Sequence, residues 1–254
     1  MLSEVNDDMG AALLNFSDYT PLALTFYCAS AISWFAAYAI IIQHIRRRQF
    51  APVPALAWCG FIAWEILWGY VYQTNVGSLF EWGLKIYAPL SCYILWGVFR
   101  YGHKQFSTRA ARQNVAPIMI FNVVAWLIVL YFFIPAHDDP SGMTTATILS
   151  VSTSAQYLSL LLHLHEREGA AGLQELPYAG GWFKLMANTF SFIYCFLHLP
   201  ERHWLLVLCV ISVVLDLAYL AVFRHLRASA RSHLPAKADS QLQEQPAQVA
   251  AALT

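Results

Sequence analysis

Residues 52–73 read PVPALAWCGFIAWEILWGYVYQ and contain a single charged side chain, that of Glu65. A helix needs about 20 mostly apolar residues to cross the roughly 30 Å hydrocarbon core of a bilayer. This stretch is long enough and apolar enough to do so. The sequence therefore predicts a membrane-spanning helix that carries a carboxylic acid within its apolar length.

Six further stretches of the chain have a similar length and apolar character. Of the 254 residues, 58% are hydrophobic and 12% are charged, whereas soluble domains are about 45–50% apolar and about 25% charged. The sequence thus predicts an all-α bundle of seven transmembrane helices in residues 21–227. An extramembrane segment at 1–20 and a disordered tail at 228–254 would flank it. The predicted spans are 21–43, 52–73, 79–99, 115–135, 143–164, 178–200 and 203–223.

Lysine and arginine are distributed unevenly between the predicted loops. Twelve of the fifteen fall on one side of the bundle, and the exceptions are Lys85, Lys184 and Arg202. Because cytoplasmic loops are enriched in Lys and Arg, this pattern predicts an outside or lumenal N-terminus and a cytosolic C-terminus. We expect a multi-pass protein of the endoplasmic reticulum in a eukaryote, or of the inner membrane in a bacterium.

Two acids lie well inside predicted spans, Glu65 in the second and Asp216 in the seventh, and neither has a basic residue within one helical turn. An acid at such a position costs about 2.5–3.5 kcal/mol on insertion scales, so it indicates function. A carboxyl group buried without a cation favours its neutral form and can donate a proton. The helical rise puts the acids about 12 and 20 Å below the outer surface, facing one cavity if their helices are neighbours. Alternatively, each acid hydrogen-bonds a nearby side chain and only fixes helix packing.

Other features exclude several classes of protein. The formal net charge of zero argues against a nucleic-acid partner, and no motif with the spacing of metal ligands is present. The last span has no lysine, which excludes a retinal Schiff base at its usual place in rhodopsins. Lys85 and Lys184 are predicted to extend their ammonium groups to the membrane surface. No cofactor is expected.

Short motifs along the chain resemble those of the small transmembrane terpene cyclases of meroterpenoid and indole-terpenoid pathways, such as the pyripyropene and paxilline cyclases. Trp64-Glu65 is similar to the Trp-Glu pair of that family's second helix, and Leu215-Asp216 is similar to its seventh-helix acid motif. The other matching positions are Arg100-Tyr101-Gly102, Lys104-Gln105-Phe106, Asn114, Pro200-Glu201, Trp204, Tyr219 and Arg224. The order and spacing of these motifs identify the chain as a divergent member.

Two positions depart from the pattern of that family. Phe61 stands where the fungal enzymes usually have an asparagine, and Ser91 stands near the place where many have a further acid. These departures concern the surroundings of the second-helix acid and therefore the choice of substrate and the initiating step.

The resemblance implies a metal-independent terpene cyclase, of isomerase or lyase type, that acts on a prenylated aromatic or indole. Glu65 and Asp216 would be its catalytic acids, which protonate a terminal epoxide or alkene and handle the proton released later. Aromatic side chains that could stabilise the migrating cation are Trp58, Phe61, Trp64, Trp68, Tyr72 and Tyr219. The partners would be a lipophilic substrate and the lipid bilayer. The residues alone leave two alternatives, a proton-coupled membrane carrier and a non-catalytic seven-helix membrane protein.

Overall fold

The structure is a computed structural model, and it describes residues 13–232. Every regular element in that part of the chain is helical. The α-helices are α1 (Pro21–Arg48), α2 (Ala55–Tyr70), α3 (Ser78–Tyr101), α4 (Arg109–Gln113), α5 (Val115–Ala136), α6 (Met143–Glu168), α7 (Tyr178–His198) and α8 (His203–Ser232). Short 3-10 turns at Gly102–Gln105 and Gly172–Glu175 follow α3 and α6.

The all-α prediction is confirmed for the described residues, and each predicted span coincides with one of the long helices. Three helices are long and apolar enough to cross a membrane by length and composition, namely Pro21–Arg48, Val115–Ala136 and His203–Ala230. The other long helices are shorter or carry more polar residues, so the count of seven spans and the orientation of the termini stay predictions. The last helix includes residues 228–232, which the sequence analysis assigned to the tail. The rest of that tail and residues 1–12 lie outside the described residues.

Six of the long helices form a closed ring. Going round it, α1 packs on α7, α7 on α8, α8 on α6, α6 on α2, α2 on α3, and α3 on α1. The seventh long helix, α5, lies outside the ring and packs mainly on α2. Gly60 lets α2 approach its neighbours closely, because a Cβ atom there would lie 2.6 Å from Leu149 Cδ2 of α6. The ring leaves a space at the centre of the bundle that side chains of all six helices can reach.

Large apolar side chains cover the outside of the bundle. On α5, Phe121 and Phe132 are 72% and 68% exposed, and only four residues of this helix are buried. Exposed apolar surface that continues along a whole helix is uncommon on soluble monomers and is the surface that lipid tails contact. The composition of the helices and the character of this surface therefore agree with a membrane protein.

One end of the ring is closed by the segment before α1 and by two loops. The backbone N–H of Asn15 donates to the carbonyl of Val76 (2.9 Å), and that of Leu79 donates to the carbonyl of Leu13 (3.1 Å). Gly77 has a φ of 128°, and a Cβ atom there would lie 2.6 Å from the Leu13 carbonyl oxygen. Only glycine fits this crossing, since it lacks the Cβ atom and tolerates positive φ. The N-terminal segment is thereby fastened across this end of the bundle.

At the other end, Gln105 fastens the turn between α1 and α2. Its Nε2 donates to the carbonyls of Ala51 and Val53 (2.7 Å each), and its Oε1 accepts from the N–H of Ala55 (3.1 Å). Lys104 Nζ donates to the carbonyl of Gln49 (2.9 Å), the residue that directly follows α1 and begins the same turn. This turn sets where α2 begins and thus the height of Glu65 in the ring.

Candidate functional site

A central cavity lies inside the ring, and all six helices of the ring line it. Its empty volume, counted together with the space at its opening, is about 770 Å³. Helices α1, α2 and α3 supply an aromatic wall made of Tyr27, Trp34, Tyr38, Phe61, Trp64, Phe80 and Tyr87. Helices α6, α7 and α8 supply a polar wall made of Thr147, Ser150, Asn188, Ser191 and Ser212.

Glu65 lies in the aromatic wall and is buried. The hydroxyl of Tyr38 donates a hydrogen bond to Glu65 Oε1, and Ser91 Oγ donates in turn to the Tyr38 hydroxyl (3.3 Å). The other carboxyl oxygen, Oε2, is buried without a hydrogen-bond partner among the described residues. No lysine, arginine or histidine of the described residues forms an ion pair with Glu65. The carboxyl group therefore has one supported oxygen and one that is free to exchange a proton.

Tyr38, which contacts Glu65 in the central cavity, is not among the site residues predicted from the sequence. It belongs to a row of side chains on α1 that recur every three or four residues and reach the central cavity: Tyr27, Ser30, Ala31, Trp34 and Tyr38. Such spacing puts residues on one helical face. The signal was present in the sequence, but a tyrosine in a span is ordinary and only the structure brings it to Glu65.

Asp216 is held by two donors from α7. Lys184 Nζ forms an ion pair with Asp216 Oδ1, and Asn188 Nδ2 donates to Asp216 Oδ2 (2.6 Å). Lys184 also donates to Ser154 Oγ of α6. Lys184 and Asn188 are four residues apart, so both side chains project from the same face of α7 toward α8.

The expectations that Lys184 extends to the membrane surface and that Asp216 has no cationic partner are wrong. Lys184 is 4% exposed and lies inside the bundle beside Asp216. The cationic partner of Asp216 on α8 comes from the neighbouring helix α7 and not from within one turn of its own helix. Asp216 is therefore one half of a buried ion pair and differs in kind from Glu65.

The two acids line different cavities. Asp216 borders a second, smaller space together with Lys184, Tyr157 and Tyr219, and this space has an empty volume of about 420 Å³. The helices that carry the two acids, α2 and α8, are not consecutive in the ring, and each packs on α6. Trp34 lines both cavities, and Asn188 joins the central cavity to Asp216. The hypothesis of one cavity shared directly by both acids is therefore replaced by two cavities connected through Asn188.

The six aromatic residues chosen from the sequence fall into three groups. Phe61 and Trp64 line the central cavity, and Tyr219 lines the smaller one. The remaining three, Trp58, Trp68 and Tyr72, line neither of these cavities. Trp58 and Trp68 are buried in the packing of α2, and the Tyr72 hydroxyl donates to the carbonyl of Tyr131 on α5 (2.6 Å). Aromatic faces that sequence reasoning missed come from α1 and α3: Tyr27, Trp34, Tyr38, Phe80 and Tyr87.

The remaining sequence motifs lie mainly at helix ends. Asn114 precedes α5 and donates from its side chain to the carbonyl of Ala110 (2.8 Å), while Gln105 fastens the turn before α2. Trp204, in the first turn of α8, is 49% exposed. No three His, Cys, Asp or Glu side chains cluster as possible metal ligands among residues 13–232. The side chains that line the central cavity and can exchange a proton are the Glu65 carboxyl group, several hydroxyl groups and the Cys209 thiol.

Comparison with known proteins places the chain in a family by its sequence. No solved structure matches the chain. The Pyr4-family terpene cyclase mfmH of Annulohypoxylon moriforme is 22% identical over 213 residues, which cover 78% of this chain and 83% of the relative. Residues 11–229 match the sequence profile of the Pyr4-like transmembrane terpene cyclases. The match covers both acids, the ring of six helices and the cavity within it, and the chain belongs to the family of Pyr4-like transmembrane terpene cyclases.

Proposed function

We propose that this protein is a metal-independent cyclase that closes rings in a prenylated aromatic or indole after protonating its terminal epoxide or alkene. The observation that carries the proposal is the position of Glu65, a buried carboxyl group that has no counterion within residues 13–232 and lies in the wall of an aromatic cavity. The product would enter meroterpenoid or related secondary metabolism. The reaction would be an isomerisation, because the proton gained at the start is returned at the end.

Glu65 is the proposed general acid. Since no cation is paired with it, the carboxyl group stays uncharged in the bundle by keeping its own proton. That proton passes from Glu65 Oε2 to the epoxide oxygen, the carbon–oxygen bond breaks, and a tertiary carbocation forms. The π electrons of the next double bond then attack the cation and close the first ring. Tyr38 donates to Oε1 throughout, and this hydrogen bond strengthens as the carboxylate forms.

The aromatic wall has two proposed tasks. The faces of Trp34, Phe61 and Trp64 attract the migrating cation, at about 0.5–2 kcal/mol for each well-placed ring. The same rings fill the space around the acid with apolar atoms, so that water does not intercept the cation before the rings have closed. Loss of a proton from the final cation regenerates the neutral acid, directly or through a relay of hydroxyl groups.

A lipophilic substrate would reach such a cavity from the bilayer. This explains why the catalyst would consist almost entirely of membrane helices, with seven spans and the orientation that the loop charges predict. The location would be the endoplasmic reticulum in a eukaryote or the inner membrane in a bacterium.

The experiment that tests the proposal is turnover by the full-length chain purified in detergent. Phenols and indoles that carry farnesyl or geranylgeranyl chains, with and without a terminal epoxide, serve as probe substrates. Chromatography with mass spectrometry detects products of unchanged mass and altered retention. Glu65→Gln is expected to lower kcat by at least about 100-fold, the usual contribution of a general acid.

Glu81→Gln is the matched control, because Glu81 lies in the first turn of α3 and does not line the cavity. It is expected to keep wild-type turnover. Cyclisation by Glu65→Gln at the wild-type rate would refute the proposal. Proton flux driven by solute uptake in proteoliposomes, with no turnover of any probe, would favour a carrier instead.

A further inference from the structure

Lys184, Asn188 and Asp216 form a hydrogen-bonded triad between α7 and α8. Asp216 is buried, and each of its carboxylate oxygens already accepts a hydrogen bond, Oδ1 from Lys184 and Oδ2 from Asn188. Neither oxygen is in the wall of the central cavity, and Asp216 itself lines only the smaller one. Asp216 is thus an ion-paired carboxylate that does not touch a molecule bound in the central cavity.

Asn188 is the member of the triad that does reach the central cavity. A carboxylate can only accept hydrogen bonds, so the Asn188 group that faces Asp216 is its NH₂ group. This fixes the orientation of the amide and directs its Oδ1 atom away from Asp216. A hydrogen bond to an anion also draws electron density toward the far end of the amide, which makes Oδ1 a stronger negative pole.

Lys184 is the cation that pairs with Asp216, at the carboxylate oxygen that does not accept from Asn188. Its ammonium group contacts Asp216 Oδ1 and Ser154 Oγ, and it lies 5.6 Å from the centre of the Tyr157 ring. Ser154 Oγ is in turn 3.2 Å from Ser212 Oγ, and Ser212 belongs to the polar wall. The lysine neutralises the charge of Asp216 and holds it against α7, and it lines the smaller cavity but not the central one.

We propose that Asn188 is a catalytic residue whose amide oxygen stabilises the carbocation on the polar side of the cavity, and that Asp216 and Lys184 are positioning residues that act through it. This inference rests on the proposed function and deepens it. It assigns the two acids different tasks: Glu65 transfers the proton, whereas Asp216 remains a carboxylate throughout. A fixed carbonyl dipole in a dry cavity stabilises developing positive charge without reorganisation during the reaction.

The test compares Asp216→Asn in two backgrounds, with the probe that the wild-type protein converts. Asn188→Leu is expected to lower kcat by at least about tenfold, the contribution of one strong hydrogen-bond or dipole contact, with KM changed less than about threefold. Asn122→Leu is the matched control, because Asn122 lies on α5 outside the ring and donates to the carbonyl of Ile118 in its own helix. It is expected to keep the wild-type kcat.

In the wild-type background, Asp216→Asn is also expected to cost at least about tenfold in kcat. In the Asn188→Leu background it is expected to cost less than about threefold, because residues that act as a unit are not additive. A full additional loss in that background would overturn the proposal, since Asp216 would then act on the substrate independently of Asn188. An Asn188→Leu protein with wild-type kcat would overturn it equally.

Asp216→Asn leaves Lys184 buried without its counterion and can fail to fold for that reason alone. The same comparison is then made with the neutral pair Lys184→Met/Asp216→Asn, which is expected to melt near the wild-type temperature. Failure of this neutral pair to fold would overturn the proposal. Glu65→Gln distinguishes a failure of the proposed function from a failure of the role given to Asn188. If Glu65→Gln is inactive while Asn188→Leu has the wild-type kcat, only the role of Asn188 is refuted. If Glu65→Gln is fully active, both proposals are refuted.

Discussion

Replacing Tyr38 by phenylalanine removes one hydroxyl group from the site and leaves the aromatic ring in place. The hydroxyl donates to Glu65 Oε1 and accepts from Ser91 Oγ, while the ring packs against Trp58 with the ring centres 5.0 Å apart. The substitution therefore tests the support of the acid separately from the shape of the aromatic wall.

The size of the effect follows from the change in charge on Glu65. A hydrogen bond to a neutral group contributes about 0.5–1.5 kcal/mol, and one to a charged group contributes about 1.5–3 kcal/mol. The gain of about 1–1.5 kcal/mol arises only as Glu65 gives up its proton, so its loss raises the barrier by that amount. Since about 1.4 kcal/mol corresponds to tenfold in rate, kcat is expected to fall by about 5- to 15-fold with KM little changed.

Initial rates measured over a range of probe concentrations, with the purified protein below its melting temperature, give kcat and KM separately. Tyr72→Phe is the matched control: its hydroxyl donates to the Tyr131 carbonyl and the residue is outside both cavities. An unchanged kcat for Tyr38→Phe would refute the idea that Tyr38 stabilises the carboxylate. A loss as large as that of Glu65→Gln would mean that Tyr38 itself transfers the proton.

Three further predictions concern the cavity wall and the two ends of the bundle. Phe61→Leu removes one aromatic face at similar volume, so kcat is expected to fall by about 2- to 30-fold and the product ratio to change in chromatography; unchanged values for both would argue against contact between this ring and the cation. Gln105→Ala removes three hydrogen bonds from the turn before α2 and is expected to lower the unfolding free energy by about 1–3 kcal/mol, seen as a lower Tm in detergent with normal kcat at low temperature. Asp139→Ala removes the carboxylate that accepts from the N–H groups of Thr144 and Thr145 at the start of α6, and a loss of about 1–2 kcal/mol is expected. Asp138→Asn at the exposed neighbouring residue is the control. Equal melting temperatures for the two variants would contradict a stabilising role of the Asp139 carboxylate at the start of α6.

The positions of the helices could be predicted because the bilayer imposes a length on any apolar segment that crosses it. All seven predicted spans begin within three residues of a helix in the structure. The predicted ends of the helices were less accurate, since helices such as α8 continue past their apolar stretch, where hydropathy no longer limits their length. The arrangement of the helices into a ring, with α5 outside, depends on contacts between distant segments and has no local signal.

The site was predictable to a similar, partial extent. An acid in an apolar span is conspicuous, and this signal found both Glu65 and Asp216. Their chemical difference was not predictable, because it depends on whether a neighbouring helix brings a lysine or a tyrosine to the same depth. Lys184 looked like a surface residue in the sequence, since a lysine near the end of a span usually extends outward.

Trp34 lines both cavities, and a single indole thus forms part of the boundary between them. On one side is the space where a carbocation would travel, and on the other is the ammonium group of Lys184. In the proposed reaction, this indole would separate the carbocation from the ammonium group and would also limit the length of the prenyl chain that the central cavity admits. Replacing Trp34 by a smaller residue would open one cavity to the other and expose the proposed cation to the ammonium group. The length of substrate that fits and the distance of the proposed cation from the ammonium group thus depend on the same side chain. A smaller residue at this position would admit a longer prenyl chain but would leave the carbocation closer to a positive charge.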